Sequence, residues 1–278
     1  KTFLAGVVAH GHVPISRKGE PPIGIISVYS MSIKGLFSPE FIELLSNLAG
    51  QLAQAIVIVR EIEAKETQRK QKEQALLHNA LIKKEMELAQ QIQQSLLPNT
   101  SPQIIGIDIA GRCKTASHVG GDYYDFLQFD KDSIDIIIAD VSGHSVGAAL
   151  VMTEVRTMFR QQARAQNSPS LMLEQLNNQL YDDLSHTELL FSAFYARYNN
   201  RTRSLTYANA GHNLPIVFRT NTHNHIELDA EGLIIGVMPS IAFEERSIEL
   251  STGDVIIFYT DGFSESTNSK GKLFGKER

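Results

Sequence analysis

The sequence is poor in the residues that mark secreted, nucleic-acid-binding and membrane-spanning chains. Its 278 residues contain one cysteine, Cys113, and no tryptophan. A single cysteine excludes an internal disulfide and is typical of a reducing compartment, so we predict a cytoplasmic protein. Acidic residues outnumber basic residues by 31 to 26, which gives a net charge of −5. That balance argues against nucleic acid as a partner, because phosphate binders concentrate Lys and Arg.

Long apolar runs are also scarce. No run approaches the roughly 20 residues that cross a bilayer, so no membrane span is predicted. The first residues, KTFLAGVVAHG, lack a starting methionine and the pattern of a signal peptide. They resemble the interior of a domain, and the last residues, LFGKER, stop where a helix would begin. We therefore expect the chain to be a piece of a longer protein, cut at both ends.

Residues 1–60 form the first predicted unit. The apolar, β-branched segment IISVYS predicts a strand. After a turn at Lys34-Gly35, Ser38 and Pro39 have the pattern of a helix start. Apolar residues then recur on one helical face: Phe41, Leu44, Leu45, Leu48, Leu52, Ile56 and Val59. A strand, a loop with F-S-P-E and a long closing helix resemble the last third of a GAF sensor domain. The alternative is the β-α tail of another sensor fold.

Residues 61–98 are predicted to continue that helix. Their first part, EAKETQRKQKE, is almost wholly polar and is interpreted as a solvated spacer, because it has no apolar face to bury. An apolar stripe with partly heptad spacing then returns at Leu77, Leu81, Ile82, Met86, Leu88, Ala89, Ile92 and Leu96. It predicts a coiled coil that joins two copies of the chain and also contacts the next domain. A helix that only caps its own domain is the alternative.

Residues 99–278 form the third predicted unit. Apolar segments predict strands over 105–112, 123–129, 133–139, 192–198, 204–209, 214–218, 245–250 and 254–259. Two helices interrupt them, at 145–165 and 169–184. Helices grouped among runs of strands predict an α+β fold rather than alternating β-α-β units.

Three aspartates in this unit share one local pattern. Asp122, Asp140 and Asp261 each lie near Gly at the edge of a predicted strand, in GGD, DVSG and YTDG. Carboxylates presented at strand ends suit hard divalent cations such as Mg²⁺ or Mn²⁺. A single Asp-Gly pair after a strand is usually an ordinary turn. The spacing alone therefore leaves both a metal site and three turns open.

Five motifs make the sequence recognisable. In order they are ELAQQIQQSLLP, GGDYYDF, IADVSGHSVGAAL, YANAGHNLP and FYTDGFSESTNSKGKLFG. Over residues 86–278 they resemble the PPM-type metal-dependent serine/threonine phosphatases, and in particular the bacterial SpoIIE-type branch. The resemblance implies an α/β sandwich of two antiparallel sheets flanked by helices. It also implies two divalent metal ions, Mn²⁺ or Mg²⁺, and a phosphorylated STAS-type anti-sigma-factor antagonist as the substrate.

The resemblance gives each candidate metal ligand a role. Asp140 would bridge two metal ions, with the Val141 backbone carbonyl as a further ligand. Asp122 would bind on one side of the pair, directly or through water, and Asp261 would bind the other ion. Water would attack phosphorus, so no protein nucleophile is assigned. Asp125, the second acid of GGDYYD, is interpreted as a structural or water-orienting residue.

Several further residues are weaker candidates. His144 follows the metal loop and could meet the substrate phosphate, although a turn histidine beside Gly is the more common case. His212 and Asn213 in AGHNLP are expected to fix a loop. Three arginines on one face of the helix at 145–165 are interpreted as surface charges: Arg156, Arg160 and Arg164.

The sequence departs from the family pattern in two places. Ser145 stands where the branch usually has Gly, which would cost about 1 kcal/mol if the position needs a positive φ. Family members also carry a further metal-binding Asp near the C-terminus, and this sequence ends at Arg278 before that point. We interpret the second departure as truncation, because every motif present is intact.

The main hypothesis is a cytoplasmic phosphatase of phosphoserine and phosphothreonine in proteins, controlled by the upstream sensor through the helix at 61–98. The rival is a non-catalytic module that binds a phosphoprotein or relays a signal by dimerising. A phosphatase of small phosphoesters is a third possibility.

Overall fold

A computed structural model describes residues 9–30, 38–163, 167–187 and 189–275 of the chain. The chain divides into two units, Lys1–Ile82 and Lys83–Arg278, and the boundary falls inside one long helix. The predicted turn at Lys34-Gly35 and the side chain of Arg164 lie outside the described residues.

The first unit consists of a hairpin and most of a helix. Strands β1 (Ala9–Ile15) and β2 (Gly24–Ser30) pair antiparallel, and helix α1 runs over Pro39–Leu96. The helix starts where the sequence predicts, because the Ser38 hydroxyl accepts a hydrogen bond from the Phe41 backbone N–H at 3.3 Å. It continues without a break through the polar segment that was interpreted as a spacer.

The apolar face predicted for the start of α1 is not the face that the hairpin covers. Ala49 and Ala53 are buried against Ile15. Large apolar side chains of the predicted face are about half exposed: Leu44, Leu48, Leu52 and Val59. Small side chains let the helix approach the hairpin closely, so they take the contact and the large ones stay at the surface.

One part of α1 has the length and composition of a membrane-crossing segment. Among the described residues, this is the one helix with an 18-residue window that is sufficiently apolar and holds at most two charged residues. The sequence-based statement that no apolar run approaches spanning length is therefore too strict. Length and composition alone are weak evidence, because the core helix of a soluble protein meets the same criteria.

The second unit is built on two antiparallel sheets. The larger sheet has the order β3-β4-β5-β6-β9 and the smaller has the order β10-β7-β8. Their strands are β3 (Tyr123–Leu127), β4 (Ser133–Val141), β5 (Phe191–Asn199), β6 (Ser204–Ala210), β7 (Ile216–Arg219), β8 (Asn224–Glu227), β9 (Glu245–Glu249) and β10 (Val255–Ile257). Strand β8 was not predicted, because its four exposed residues, NHIE, show no apolar alternation.

Three helices accompany these sheets. Helices α2 (Val146–Gln162) and α3 (Pro169–Ser185) are the two that the sequence predicts, and a short α4 (Asp261–Ser264) follows β10. Ser145 caps α2 with a φ of −86°, and its hydroxyl accepts a hydrogen bond from the Ala148 backbone N–H at 3.2 Å. The replacement of Gly by Ser therefore causes no backbone strain and adds a helix cap.

Two apolar cores lie on opposite faces of the larger sheet. The first joins α2 and α3 to the sheet and includes Phe159, Leu176 and Tyr195. The second lies between the two sheets and includes Phe194 and Val217. Successive residues of β5 thus face opposite cores, as the strand period of two requires. This order of helices, sheet and sheet confirms the predicted sandwich of two antiparallel sheets.

The predicted strand at 105–112 is wrong. Ile104 and Ile107 form an isolated bridge across a turn, and residues 108–115 have no regular structure. Ile107 and Ile109 nevertheless pack against the second core. Their alternation in the sequence therefore reflects a loop with buried side chains, which periodicity cannot distinguish from a strand.

Asp125 belongs to the core of the fold and not to a cleft. It is fully buried in β3 and accepts hydrogen bonds from the Tyr123 hydroxyl at 2.7 Å and the Phe126 backbone N–H at 2.8 Å. The Arg160 guanidinium donates two more, at 2.6 and 2.9 Å. The interpretation of Arg160 as a surface charge is therefore wrong, since it neutralises a buried carboxylate.

We expect Asp125→Ala to lower the free energy of unfolding by about 2 kcal/mol, because it leaves the buried Tyr123 hydroxyl unpaired and removes the partner of Arg160, whose side chain is 40% exposed. The control is Asp132→Ala, which removes an ion pair whose arginine, Arg201, is 72% exposed, and which should cost less than about 1 kcal/mol. Chemical denaturation of both variants gives the two values. Equal losses would contradict the structural role of Asp125.

Candidate metal centre

Strand pairing brings Asp122 and Asp140 together. Asp122 immediately precedes β3, Asp140 is the penultimate residue of β4, and Tyr123 pairs with Ala139. The next position in this antiparallel register places Asp122 opposite Asp140, so their side chains lie on one face. The two carboxyl groups are within hydrogen-bonding reach of each other.

Asp261 reaches the same place from the other sheet. It is the first residue of α4, shortly after β10. The preceding residue, Thr260, donates a hydrogen bond from its hydroxyl to the Asp122 carboxylate at 3.1 Å. This bond ties the segment after β10 to the loop before β3, so all three predicted aspartates line one cleft.

The cleft has a volume of about 520 Å³. Leu190 and Ile234 contribute apolar surface to its wall, and small residues of the GGD and DVSG loops contribute backbone. Its other polar side chains include His144, Ser192, His212 and Asn213.

Burial and mutual repulsion perturb the carboxyl groups. Burial raises the pKa of Asp140 to about 7, and the charges of Asp122 and Asp261 add to the effect. Burial also raises the pKa of Asp122, although the hydrogen bond from Thr260 partly opposes it. Without a cation, the neighbouring carboxyl groups therefore share a proton close to neutral pH.

Cys113 lies near the same carboxyl groups. Burial raises the pKa of its thiol to about 11, and the charges of Asp122 and Asp140 add to this. Without a cation nearby, the thiol is therefore protonated at neutral pH.

The donor set fits a hard divalent cation. The described residues contain no group of three or more Asp, Glu, His or Cys side chains already gathered to hold a metal ion. Mg²⁺ does not need such a group, because it keeps several waters and uses only one or two carboxylates. A cation beside Asp122 and Asp140 would replace their shared proton and remove their repulsion. Asp122, Asp140, Asp261 and the Val141 backbone carbonyl are the groups that could hold it.

Gly121 lets the two loops of this site approach each other. A Cβ atom at Gly121 would lie 2.1 Å from the backbone carbonyl oxygen of Val141. In addition, the Val141 backbone N–H donates to the Gly121 carbonyl at 3.4 Å. Any side chain here would push the Val141 carbonyl away, which gives a physical reason for the second glycine of GGD.

Gln93, near the end of α1, holds the loop that precedes Asp122. Its side-chain amide donates to the Gly120 carbonyl at 2.7 Å and its oxygen accepts from the Gly120 N–H at 3.1 Å. Gln93 is only 7% exposed. Sequence reasoning missed it, because nothing distinguishes it from the other three glutamines of QQIQQ.

Arg156 forms a second contact with the C-terminal end of α1. Its guanidinium donates to the Leu96 backbone carbonyl at 2.7 Å. Arg156 lies on α2, the helix that follows the Asp140 loop. The last turn of α1 is thus bonded both to the loop before Asp122 and to the helix after Asp140. The interpretation of Arg156 as a surface charge is wrong.

The two candidate histidines lie at the cleft in different environments. His144 is exposed at its edge. His212 is buried, and the Asn209 side chain exchanges two hydrogen bonds with its backbone, at 2.8 and 3.1 Å. The side chain that holds this loop is therefore Asn209, whereas His212 and Asn213 were expected to fix it. Ser192, whose hydroxyl lies 2.8 Å from His212 Nδ1, was not singled out, because an isolated Ser in a strand carries no sequence signal.

Comparison with known proteins identifies the class. The family described as Stage II sporulation protein E (SpoIIE) matches residues 130–278. The chain therefore belongs to the SpoIIE family, the branch of PPM-type phosphatases that its motifs indicate.

Two relatives from Bacillus subtilis (strain 168) are similar to about two thirds of the chain. The chain is 33% identical to the phosphoserine phosphatase RsbU over 192 residues. This matched region makes up 69% of this chain and 57% of RsbU. The chain is also 28% identical to the phosphoserine phosphatase RsbP over 191 residues, and this matched region makes up 67% of this chain and 47% of RsbP. The chain thus spans about half the length of these two curated relatives.

A solved structure supports the fold. The SiaA-PP2C domain of Pseudomonas aeruginosa is similar with a TM-score of 0.61 and 22% sequence identity, over 72% of this chain and 80% of that domain. At this identity the likeness shows the fold alone, which is that of a PP2C phosphatase domain.

The raised pKa of Asp140 predicts a pH-dependent stability in the absence of metal ions. The folded-state pKa of Asp140 lies above the ordinary value of an aspartate. The contribution of Asp140 to the free energy of unfolding is therefore fully present below about pH 4 and is lost as the pH rises through about 7. Asp140→Asn cannot ionise, so we expect a flatter profile and greater stability than wild type at pH 7. Denaturation in a chelator, with Asp132→Asn as control, measures this. Parallel profiles for wild type and Asp140→Asn would show that the site is not strained by charge.

Proposed function

We propose that this chain is the catalytic part of a metal-dependent protein phosphatase that hydrolyses phosphoserine or phosphothreonine. The observation that carries the proposal is the pairing of Asp122 with Asp140 in a cleft that Asp261 also lines. The similarity to the phosphoserine phosphatases RsbU and RsbP supports it.

The proposed roles are those that the family resemblance implies, and the positions of the residues around one cleft support them. Asp140 and the Val141 carbonyl, together with Asp122 and Asp261, hold two divalent cations, Mn²⁺ or Mg²⁺. When bound, such cations supply positive charge for the phosphate and lower the pKa of water. The Thr260 hydroxyl orients the Asp122 carboxylate, and Leu190 and Ile234 limit the access of bulk water. No side chain is needed as a nucleophile.

The proposed substrate is a protein, namely a phosphorylated STAS-type anti-sigma-factor antagonist. Exposed apolar side chains beside the cleft favour a protein over a small phosphoester. Leu190 in the cleft wall is 44% exposed and Val146, at the start of α2, is 46% exposed. A panel of phosphoproteins compared with small phosphate esters separates these two substrate classes.

We further propose that residues 1–60 end a GAF-like sensor domain and that α1 carries its signal. The hydrogen bonds of Gln93 support this, because a shift of the end of α1 would move Gly120, which is two residues before Asp122. The metal site would then form fully only in one position of the helix.

The exposed apolar stripe of the same helix supports a homodimer, which we propose to be cytoplasmic. Its predicted heptad residues are between 44% and 64% exposed: Leu77, Leu81, Ile82, Leu88 and Ile92. An apolar stripe of this length is stabilised when a second helix covers it. A second copy of the chain is the proposed partner.

A non-catalytic module that binds a phosphoprotein or relays a signal by dimerising is the second candidate. One observation favours it: among the described residues no three metal-binding side chains are already gathered around one point. The activity test below distinguishes it from the phosphatase.

The test is the Mn²⁺-dependent release of phosphate from a phosphoserine protein by the full-length protein. We expect Asp140→Asn to lower the rate by at least about a hundredfold, because metal ions contribute several kcal/mol to such reactions. The control is Asp132→Asn, which changes a partly buried residue outside the cleft and should retain activity. A wild-type protein that releases no phosphate with either metal and several substrates would favour the non-catalytic module.

A second test concerns the link between α1 and the site. Gln93→Ala leaves the Gly120 N–H and carbonyl unpaired, so we expect a loss of about 2 kcal/mol in the free energy of unfolding and weaker Mn²⁺ binding. Gln94→Ala is the matched control, since Gln94 is the exposed neighbour in the same helix. Calorimetric titration with Mn²⁺ measures the effect. If Gln93→Ala lost stability but bound Mn²⁺ as wild type does, the helix would not be coupled to the site.

A further inference from the structure

The cleft residues that the structure describes offer no permanently cationic side chain to a phosphate. None of the described residues that line the cleft is Lys or Arg. His212 does not supply a charge, because burial lowers its pKa to about 4, an effect that the nearby Tyr259 backbone only partly opposes. Recognition of a phosphate must therefore use neutral hydrogen-bond donors in addition to metal ions.

Ser192 places a hydroxyl group beside the carboxyl groups of Asp122 and Asp140. In the register of β4 and β5 it is directly opposite Asp140, so the two side chains lie on one face with Cβ atoms about 5 Å apart. Both residues line the cleft and both are partly exposed to it. A phosphate held near Asp140 by metal ions would therefore be within reach of the Ser192 hydroxyl.

The ring of His212 fixes this hydroxyl. Its Nδ1 atom lies 2.8 Å from Ser192 Oγ. The ring is itself held, because the Asn209 side chain bonds the His212 N–H and carbonyl. Gly211 has a φ of +67°, and a Cβ atom there would lie 2.5 Å from the Ile234 side chain. These contacts hold the loop and, with it, the ring of His212.

The tautomer of the His212 ring decides in which direction its bond to Ser192 runs. Nε2 of His212 is buried and no group in the described structure meets it in hydrogen-bonding geometry, although the Tyr259 backbone is near enough to raise the pKa of the ring. The contact proposed below requires the proton on Nδ1, which then donates to Ser192 Oγ. The hydroxyl proton of Ser192 is then free to point into the cleft.

We propose that Ser192 donates a hydrogen bond to a phosphate oxygen of the substrate, and that His212 is the residue that positions Ser192 for this contact. The inference rests on the proposed phosphatase function. The contact itself can be measured without turnover, by the binding of inorganic phosphate.

The experiment is calorimetric titration of inorganic phosphate into the full chain with saturating Mg²⁺. We expect Ser192→Ala and His212→Leu each to weaken phosphate binding about tenfold, as for the loss of a hydrogen bond to a charged group. Ser192→Thr keeps the hydroxyl, and His212→Asn keeps an N–H donor near the position of Nδ1, so both should bind nearly as wild type. The double variant should be no weaker than Ser192→Ala alone, because His212 acts through Ser192.

Thr206→Ala is the matched control, since Thr206 is a strand hydroxyl of the same sheet that bonds Ser247 away from the cleft. It should leave phosphate binding unchanged, and Ser192→Ala should leave Mg²⁺ affinity unchanged. Three results would each overturn the inference: wild-type phosphate affinity in Ser192→Ala, additive losses in the double variant, or nitrogen chemical shifts that place the His212 proton on Nε2. A wild-type chain that binds no phosphate would overturn it as well.

The same variants distinguish this inference from the proposed function. If the full-length protein hydrolyses phosphoserine and Ser192→Ala changes neither KM nor phosphate affinity, the inference fails and the phosphatase stands. If Ser192→Ala weakens phosphate binding as expected but no phosphoprotein is hydrolysed by wild type, the contact stands and the phosphatase fails.

Discussion

Asp122 and Asp140 are like charges that the pairing of β3 with β4 forces to lie opposite each other in a partly buried cleft. This repulsion costs free energy unless a proton or a cation lies between the carboxyl groups. The surrounding contacts fix the arrangement in spite of that cost. Gly121 permits the close approach of the Val141 carbonyl, and the Thr260 hydroxyl bonds Asp122 from the other sheet. A cation between these carboxyl groups would remove the repulsion, which supports the proposed metal site.

The fold supplies the rigidity that such a site needs. β4 and β5 lie between two apolar cores, so the positions of Asp140 and Ser192 are fixed from both faces of the sheet. The buried ion pair of Asp125 with Arg160 secures α2 to β3. Gln93 then bonds the loop before Asp122 to the end of α1. This last contact is polar and short, so it can be broken and remade at a smaller cost than the cores.

The strands and helices that could be predicted were those with a strong apolar period. Strands β3 to β6 and helices α2 and α3 were found within a few residues, because each buries a regular face. β8 carries no such period, and the alternation at 105–112 belongs to a loop of which only Ile107 and Ile109 are partly buried. Of the site, the three aspartates were visible through their Gly neighbours. Gln93 and Ser192 were not, because their roles depend on partners 27 and 20 residues away, Gly120 and His212. The pairing of Asp125 with Arg160 was hidden for the same reason.

The most direct test of the account is the number of protons released when Mn²⁺ binds near pH 7, measured by titration calorimetry in buffers of different ionisation enthalpy. If Asp122 and Asp140 bind the cation, wild type is expected to release a proton on binding Mn²⁺, because the cation displaces the proton that these two carboxyl groups share. Asp140→Asn should bind Mn²⁺ more weakly and release none. Equal Mn²⁺ affinity in the two proteins, or binding without proton release in wild type, would contradict the claim that these two carboxyl groups form the metal site.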